Sequence, residues 1–178
     1  MTSGWLNHPF LIPSALEDWL VHCGSLTQRL KCRCRRFSVE KVNTKIRRAN
    51  HDEERELGLR SGQYAYVREV VLHCDGEPVV FAHSVIPLEN LNGPWNSVTR
   101  LGTRPLGEAL FTNHQVQRHP LAYKTIHRHH KLHRQTLLAV PLERGARLLA
   151  RRSIFALKGR ALMVTEVFLP AILDVRNH

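Results

Sequence analysis

Apolar and polar positions along the chain follow two different periods. Over residues 14–22 (SALEDWLVH) the spacing is helical, and Ser14 with Glu17 three residues on forms a capping box. A second short helix is predicted over 25–33 (SLTQRLKCR), with Ser25 and Gln28 as its box. Residues 36–46 read as a strand with imperfect alternation. Residues 63–74 (QYAYVREVVLHC) are rich in Val and Tyr, as strands are, and 77–86 (EPVVFAHSVI) return as their partner. Between them Asp75-Gly76 supplies a two-residue turn of the kind that needs positive φ. Residues 104–111 (RPLGEALF) predict a short helix capped by Thr103, with Pro105 in its first turn. The hairpin logic repeats near the end, where 148–157 (LLARRSIFAL) and 160–169 (RALMVTEVFL) flank Lys158-Gly159, although lysine disfavours positive φ. Strands and helices do not alternate regularly, so the fold class expected is α+β, a single domain over 1–178 on an antiparallel sheet.

The tight turns allow a register to be counted. With Asp75 and Gly76 as turn residues, Cys74 faces Glu77, Val70 faces Phe81 and Arg68 faces His83. Directly opposed residues share a face of the sheet, so Arg68 and His83 are expected together among Tyr64, Tyr66, Leu72, Val79 and Val85. A buried arginine needs a partner. A ligand carboxylate would satisfy its fork bidentately, and the competing reading is a structural salt bridge, for instance to Glu56. In the second hairpin Ser153 faces Val164 and Arg151 faces Glu166. Glu166 shares its face with Leu162, Val164 and Phe168, so it either pairs with Arg151 as a buried ion pair or carries a raised pKa.

Composition narrows the class. The chain has 178 residues, enough for one ordinary core, and is 43% hydrophobic and 23% charged, which fits a globular protein. A net charge of +11 favours anionic partners, either nucleic acid or small acids. Cys23, Cys32, Cys34 and Cys74 form no C-x-x-C pair, and free thiols in a reducing cytoplasm are the simplest account. No signal peptide or membrane-spanning run is visible. The cluster at 127–134 (HRHHKLHR) places His129 and His133 at i, i+4, but with no acid beside them it reads as an exposed basic loop, not a metal site. Nucleic acid is not expected there either, because no aromatic residues interleave to stack bases. Nucleophile-elbow, phosphate-loop and zincin motifs are absent.

Several short segments in order carry a resemblance: Asp18-Trp19-Leu20, GSLTQRL at 24–30, VREVVLHCDGEP at 67–78, LGTRPLGEALF at 101–111, ARRS at 150–153 and TEVFLPA at 165–171. With these the chain resembles the chorismate pyruvate-lyase family over nearly its whole length. Residues of about 120–145, with the histidine cluster, look like an insertion. The resemblance implies helical flaps over a buried ligand cavity in a monomer without metal or organic cofactor. It implies elimination of pyruvate from chorismate to give 4-hydroxybenzoate, the first step of ubiquinone biosynthesis. It carries the arginine that grips the ligand carboxylate onto Arg68 and the glutamate at the ring hydroxyl onto Glu166. Two positions that touch ligand through backbone or apolar atoms fall on Leu26 and Leu106. A second family arginine aligns with His83, expected with Arg151 on the enolpyruvyl side. The competing class is a non-catalytic small-acid-binding module like the effector domains of GntR-type regulators.

Overall fold

The computed structural model describes residues 4–9, 12–143 and 145–175. Its centre is a seven-stranded antiparallel sheet in the order β1-β2-β3-β7-β6-β4, with β5 also paired to β6. The strands are β1 (Phe37–Arg48), β2 (Tyr64–Cys74), β3 (Glu77–Pro87), β4 (Gln117–Arg118), β5 (Ala122–Ile126), β6 (Leu148–Leu157) and β7 (Arg160–Phe168). The helices are α1 (Ser14–Val21), α2 (Leu26–Arg33), α3 (His51–Leu57), α4 (Leu88–Leu91), α5 (Leu106–Thr112) and α6 (Lys131–Ala139), with 3₁₀ turns at Asn96–Arg100 and Pro170–Asp174. The architecture is α+β, as the irregular order of elements predicts.

Apolar side chains on alternate strand positions point to both faces, so helices must cover both. On one face Trp19, Leu20, Leu26 and Leu30 of α1 and α2 pack against Val70, Leu72, Val80 and Phe168, while Leu106 and Leu110 of α5 pack with Ile86 and Phe155. On the other face Leu132 of α6 joins Val71, Phe81, Ile126, Leu148 and Val167, and Leu57 of α3 packs near Val67, Val85 and Met163. Ser25 caps α2 by accepting the Gln28 N–H at 3.2 Å. The caps expected elsewhere shift: Pro13 and Pro105 precede α1 and α5, so Ser14 already lies inside its helix and Thr103 outside. Prolines there fix an extended residue just before the first helical turn.

Both tight turns form. Asp75 (φ 54°) and Gly76 (φ 93°), like Lys158 (φ 51°) and Gly159 (φ 72°), hold the left-handed conformation required of a two-residue hairpin. The second hairpin keeps the counted register, with Ser153 opposite Val164 and Arg151 opposite Glu166. The first does not. His73 pairs with Pro78 but Leu72 pairs with Val80, so Val79 is an extra residue, a β-bulge. Proline has no N–H for the ladder, and Pro78 sits beside the irregularity. Beyond it Val70 faces Ala82, Arg68 faces Ser84 and Glu69 faces His83. His83 is thereby turned to the face opposite Arg68, correcting the expected Arg68–His83 pair.

Two further expectations are corrected. Cys34, which caps the C-terminus of α2, and Cys74, at the end of β2, are disulfide-bonded with Cα atoms 5.3 Å apart, while Cys23 and Cys32 are free and exposed. The thiol count therefore no longer argues for a reducing compartment. The cluster at 127–134 is not a loop throughout: from Lys131 it forms the first turn of α6, Leu132 joins a core cluster, and His133 is buried with Nε2 2.9 Å from the Ala146 carbonyl oxygen. Residue 144 lies outside the described residues. Among the described residues no helix is long and apolar enough to cross a membrane, and no three His, Cys, Asp or Glu side chains are grouped as a metal site would need.

Candidate active site

The face covered by α2 and α5 encloses a cavity. Its floor is two adjacent rows of the sheet. One row runs Arg68–Ser84–Val164–Ser153 and the next Val70–Ala82–Glu166–Arg151 across β2, β3, β7 and β6. Gly24, Leu26 and Thr27 at the start of α2, and Pro105, Leu106 and Gly107 at the start of α5, form the cover. The two helix starts nearly touch. A Cβ on Gly107 would stand 2.8 Å from Thr27 Oγ1, closer than side-chain packing permits, so glycine allows the cover to close. Leu26 and Leu106 are buried and present apolar surface to the cavity, in keeping with the places inferred for them.

Arg68 is 2% exposed and faces no carboxylate. Its Nη2 donates to the carbonyl oxygens of Gly102 (3.0 Å) and Arg104 (2.9 Å), and its Nε has no partner among the described residues. The salt bridge considered for it, to Glu56, belongs instead to Arg152, whose Nη2 lies 2.6 Å from Glu56 Oε1. Burial pushes the Arg68 guanidinium below its usual pKa, which is a cost that an anion in the cavity would relieve. Arg151 is fully buried. Its Nε donates to Glu166 Oε2 at 2.5 Å, and its Nη1 donates to the carbonyl oxygens of Trp19, Leu20 and His22, tying the end of α1 to the sheet. Its Nη2 is left without a partner. Glu166 is therefore ion-paired, the first of the two outcomes its position allowed.

Buried polar groups in folded proteins are almost always bonded; of the four guanidinium donors left without a hydrogen bond among the described residues, those of Arg68 and Arg151 line this cavity, while those of Arg47 and Arg152 belong to side chains already paired with carboxylates. With Arg118 on β4 the cavity lining holds three guanidiniums and one carboxylate, so its surplus is positive. Arg118 carries no sequence signal: β4 is two residues long, too short to show a period.

His83 lies on the other face, 1% exposed, and is absent from the cavity lining. Its Nδ1 is 3.1 Å from Glu69 Oε1 and its Nε2 is 3.0 Å from Glu53 Oε1. Arg47 bonds Glu53 through two nitrogens at 2.9 and 3.0 Å, and Gln135 donates to Glu69 at 2.8 Å. Burial alone would lower the imidazole pKa, but the two carboxylates outweigh it and hold His83 above its ordinary value. Burial would raise both carboxylates, but hydrogen bonds to His83 and the nearby positive charges outweigh it, holding Glu53 well below the usual carboxylate range and lowering Glu69. The expectation that His83 meets substrate is corrected by this geometry.

Comparison with known proteins agrees with the segments noted above. The sequence profile of the family described as "Chorismate lyase" matches residues 5–177. The "Probable chorismate pyruvate-lyase" of Aromatoleum aromaticum is 44% identical over 174 residues, covering 96% of this chain and 94% of that protein. Its namesake from Thiobacillus denitrificans is 46% identical over 170 residues, covering 96% and 90%. Among solved structures the chain is similar to a GntR-family transcriptional regulator from Bacillus cereus (TM-score 0.54, 15% identity, covering 75% of this chain and 92% of that one). It is also similar to the effector domain of PhnF from Mycobacterium smegmatis (TM-score 0.55, 14% identity, 83% and 89%). At such identity these two likenesses speak for the fold alone. The profile match and the identity to full-length relatives speak for more, and on them the chain belongs to the chorismate lyase family of enzymes.

Proposed function

We propose that this chain converts chorismate to 4-hydroxybenzoate and pyruvate, the entry step to ubiquinone. The observation that carries the reading is the pair of orphaned guanidinium donors, on Arg68 and Arg151, in a covered cavity that also holds Glu166. Such a cavity suits an anion with a polar group at its far end.

Chorismate is a ring carboxylate with a hydroxyl at the opposite ring position and an enolpyruvyl ether beside that hydroxyl. In the elimination the ether C–O bond and the neighbouring ring C–H bond break. The C–H electron pair completes the aromatic ring, the ether oxygen becomes the keto oxygen of pyruvate, and the proton ends on the former methylene carbon. Nothing is oxidised or reduced overall, so the protein's task is positioning and charge stabilisation. Arg68 holds the ring carboxylate. Glu166, anchored through Oε2 by Arg151, accepts the ring hydroxyl. Arg151 lies beside the enolpyruvyl group and steadies negative charge as it departs. Leu26 and Leu106 close the cavity and exclude water.

The test is incubation of the purified protein with chorismate, following 4-hydroxybenzoate and pyruvate by chromatography. Equal formation of both, slowed about 100-fold in Glu166→Gln, is the expected result. Binding of 4-hydroxybenzoate without turnover would overturn the reading in favour of a small-acid-binding module of the GntR effector type.

A further inference from the structure

Arg118 stands across the cavity from Arg68. The row Arg68–Ser84–Val164–Ser153 crosses four strands, and Arg118 Nε donates to the Ser153 hydroxyl at 2.8 Å. Neighbouring strands are about 4.8 Å apart, so Arg68 and Ser153 are rooted roughly 14 Å from each other, with the cavity between them. The Arg118 guanidinium is fixed from three sides. Nη1 donates to the Cys23 carbonyl oxygen at 2.5 Å, and the Phe111 and Phe155 rings each lie 5.4 Å away in cation–π contact. No ion pair joins it to a carboxylate among the described residues, and its Nη2 makes no hydrogen bond there. Burial lowers its pKa, and its Nη1 and that of Arg151, the partner of Glu166, donate to the adjacent carbonyl oxygens of Cys23 and His22, whereas Arg68 bonds the carbonyl oxygens of Gly102 and Arg104. Arg118 therefore belongs to the Glu166 end of the cavity and Arg68 to the other.

That placement matches the spacing of charge in an ether of a para-hydroxy ring acid. With the ring carboxylate at Arg68 and the hydroxyl at Glu166, the ether oxygen leaves the ring atom next to the hydroxyl. The carboxylate on that ether then hangs at the Glu166 end, where Arg118 and the unpartnered Nη2 of Arg151 stand. We infer that Arg118 is the side chain that binds the second carboxylate of the substrate. It makes the cavity selective for a dicarboxylate ether over the ring monocarboxylate left after reaction. The inference rests on the chorismate reading and adds to it the residue that distinguishes substrate from product. It also gives the cavity a reason to release product, because the monocarboxylate leaves Arg118 without its anion.

The experiment compares two ligands in three proteins. For the unaltered protein, Arg118→Ala and Arg118→Lys, one measures kcat and KM for chorismate and the Kd of 4-hydroxybenzoate by calorimetry. Arg118→Ala is expected to lower kcat/KM for chorismate about 100-fold while the Kd of 4-hydroxybenzoate stays within about threefold. Arg118→Lys, which keeps a charge but not the planar fork, should recover about tenfold of that loss, and it serves alone if the alanine variant does not fold. Equal losses for both ligands would mean that Arg118 merely braces the Cys23 carbonyl, and would overturn the inference, as would wild-type kinetics in either variant. Failure of the unaltered protein to form product would instead remove the chorismate reading, and this inference with it.

Discussion

The two faces of the β2–β3 hairpin each bury a basic side chain, and they treat it in opposite ways. His83, on the α3 and α6 side, lies between Glu53 and Glu69, which also accept from Arg47 and Gln135. Arg68, in the next row and on the α2 and α5 side, is given only backbone carbonyls and keeps a spare donor. A basic side chain whose carboxylates are built into the chain is structural. A cation whose carboxylate is missing, beside a cavity, is waiting for one from outside. The contrast separates binding from stability within one strand pair, where residue type alone suggested that Arg68 and His83 do the same work.

The contrast can be broken most directly from the structural side. His83→Ala removes the partner shared by two buried carboxylates, Glu53 and Glu69, and should cost about 3–5 kcal/mol of unfolding free energy while leaving KM for chorismate unchanged. Denaturant unfolding beside steady-state kinetics reads both. Next in size is Arg68→Ala, for which kcat/KM should fall about 100-fold and the Kd of 4-hydroxybenzoate should rise with it, at a much smaller cost in stability. If Arg68→Ala proved as destabilising as His83→Ala and kept normal kinetics, the two faces would be alike and the contrast void.

The smallest effect is on pH dependence. The folded pKa of His83 is raised, so its contribution is complete below the unfolded value of about 6.5 and is lost as pH rises through the folded one. Glu53 and Glu69 are depressed, so theirs is complete above about 4.3 and is lost as pH falls. Together they give the cluster its full effect between about pH 4.3 and 6.5. Thermal midpoints measured from pH 6 to 10 should decline more steeply in the unaltered protein than in His83→Gln. Parallel declines would show that His83 is not held as a charged partner.

What was legible in the sequence follows from what was local. The Lys158-Gly159 hairpin forms a regular ladder, so counting from its turn found the Arg151–Glu166 pair without structural help. The same count failed in the first hairpin because one residue near the turn does not pair. The signal was present in Pro78, which cannot serve a central ladder, but its consequence appears several rungs away. Arg68, Glu166, Leu26 and Leu106 were reached through short motifs in order, and all four line the cavity. Arg118 and the Cys34–Cys74 bond were not legible, since each joins segments far apart in the chain with no period to announce them. The segment at 127–134 was misjudged because its charges masked Leu132 and His133, which α6 buries.

The bulge at Val79 has a consequence best put as parity. Along a hairpin, the face on which two residues meet depends only on whether the count between them is odd or even. Val79 sets that parity once, beside the turn, and every rung out to Tyr66 and Ile86 inherits it. A regular ladder of the same residues would turn His83 toward the ligand side and leave Glu53 and Glu69 without the imidazole they share, with only Arg47 and Gln135 among the partners named above. The charge of the cavity is thus decided by a buried valine that is no part of its lining, and an inventory of what touches the ligand would never name it.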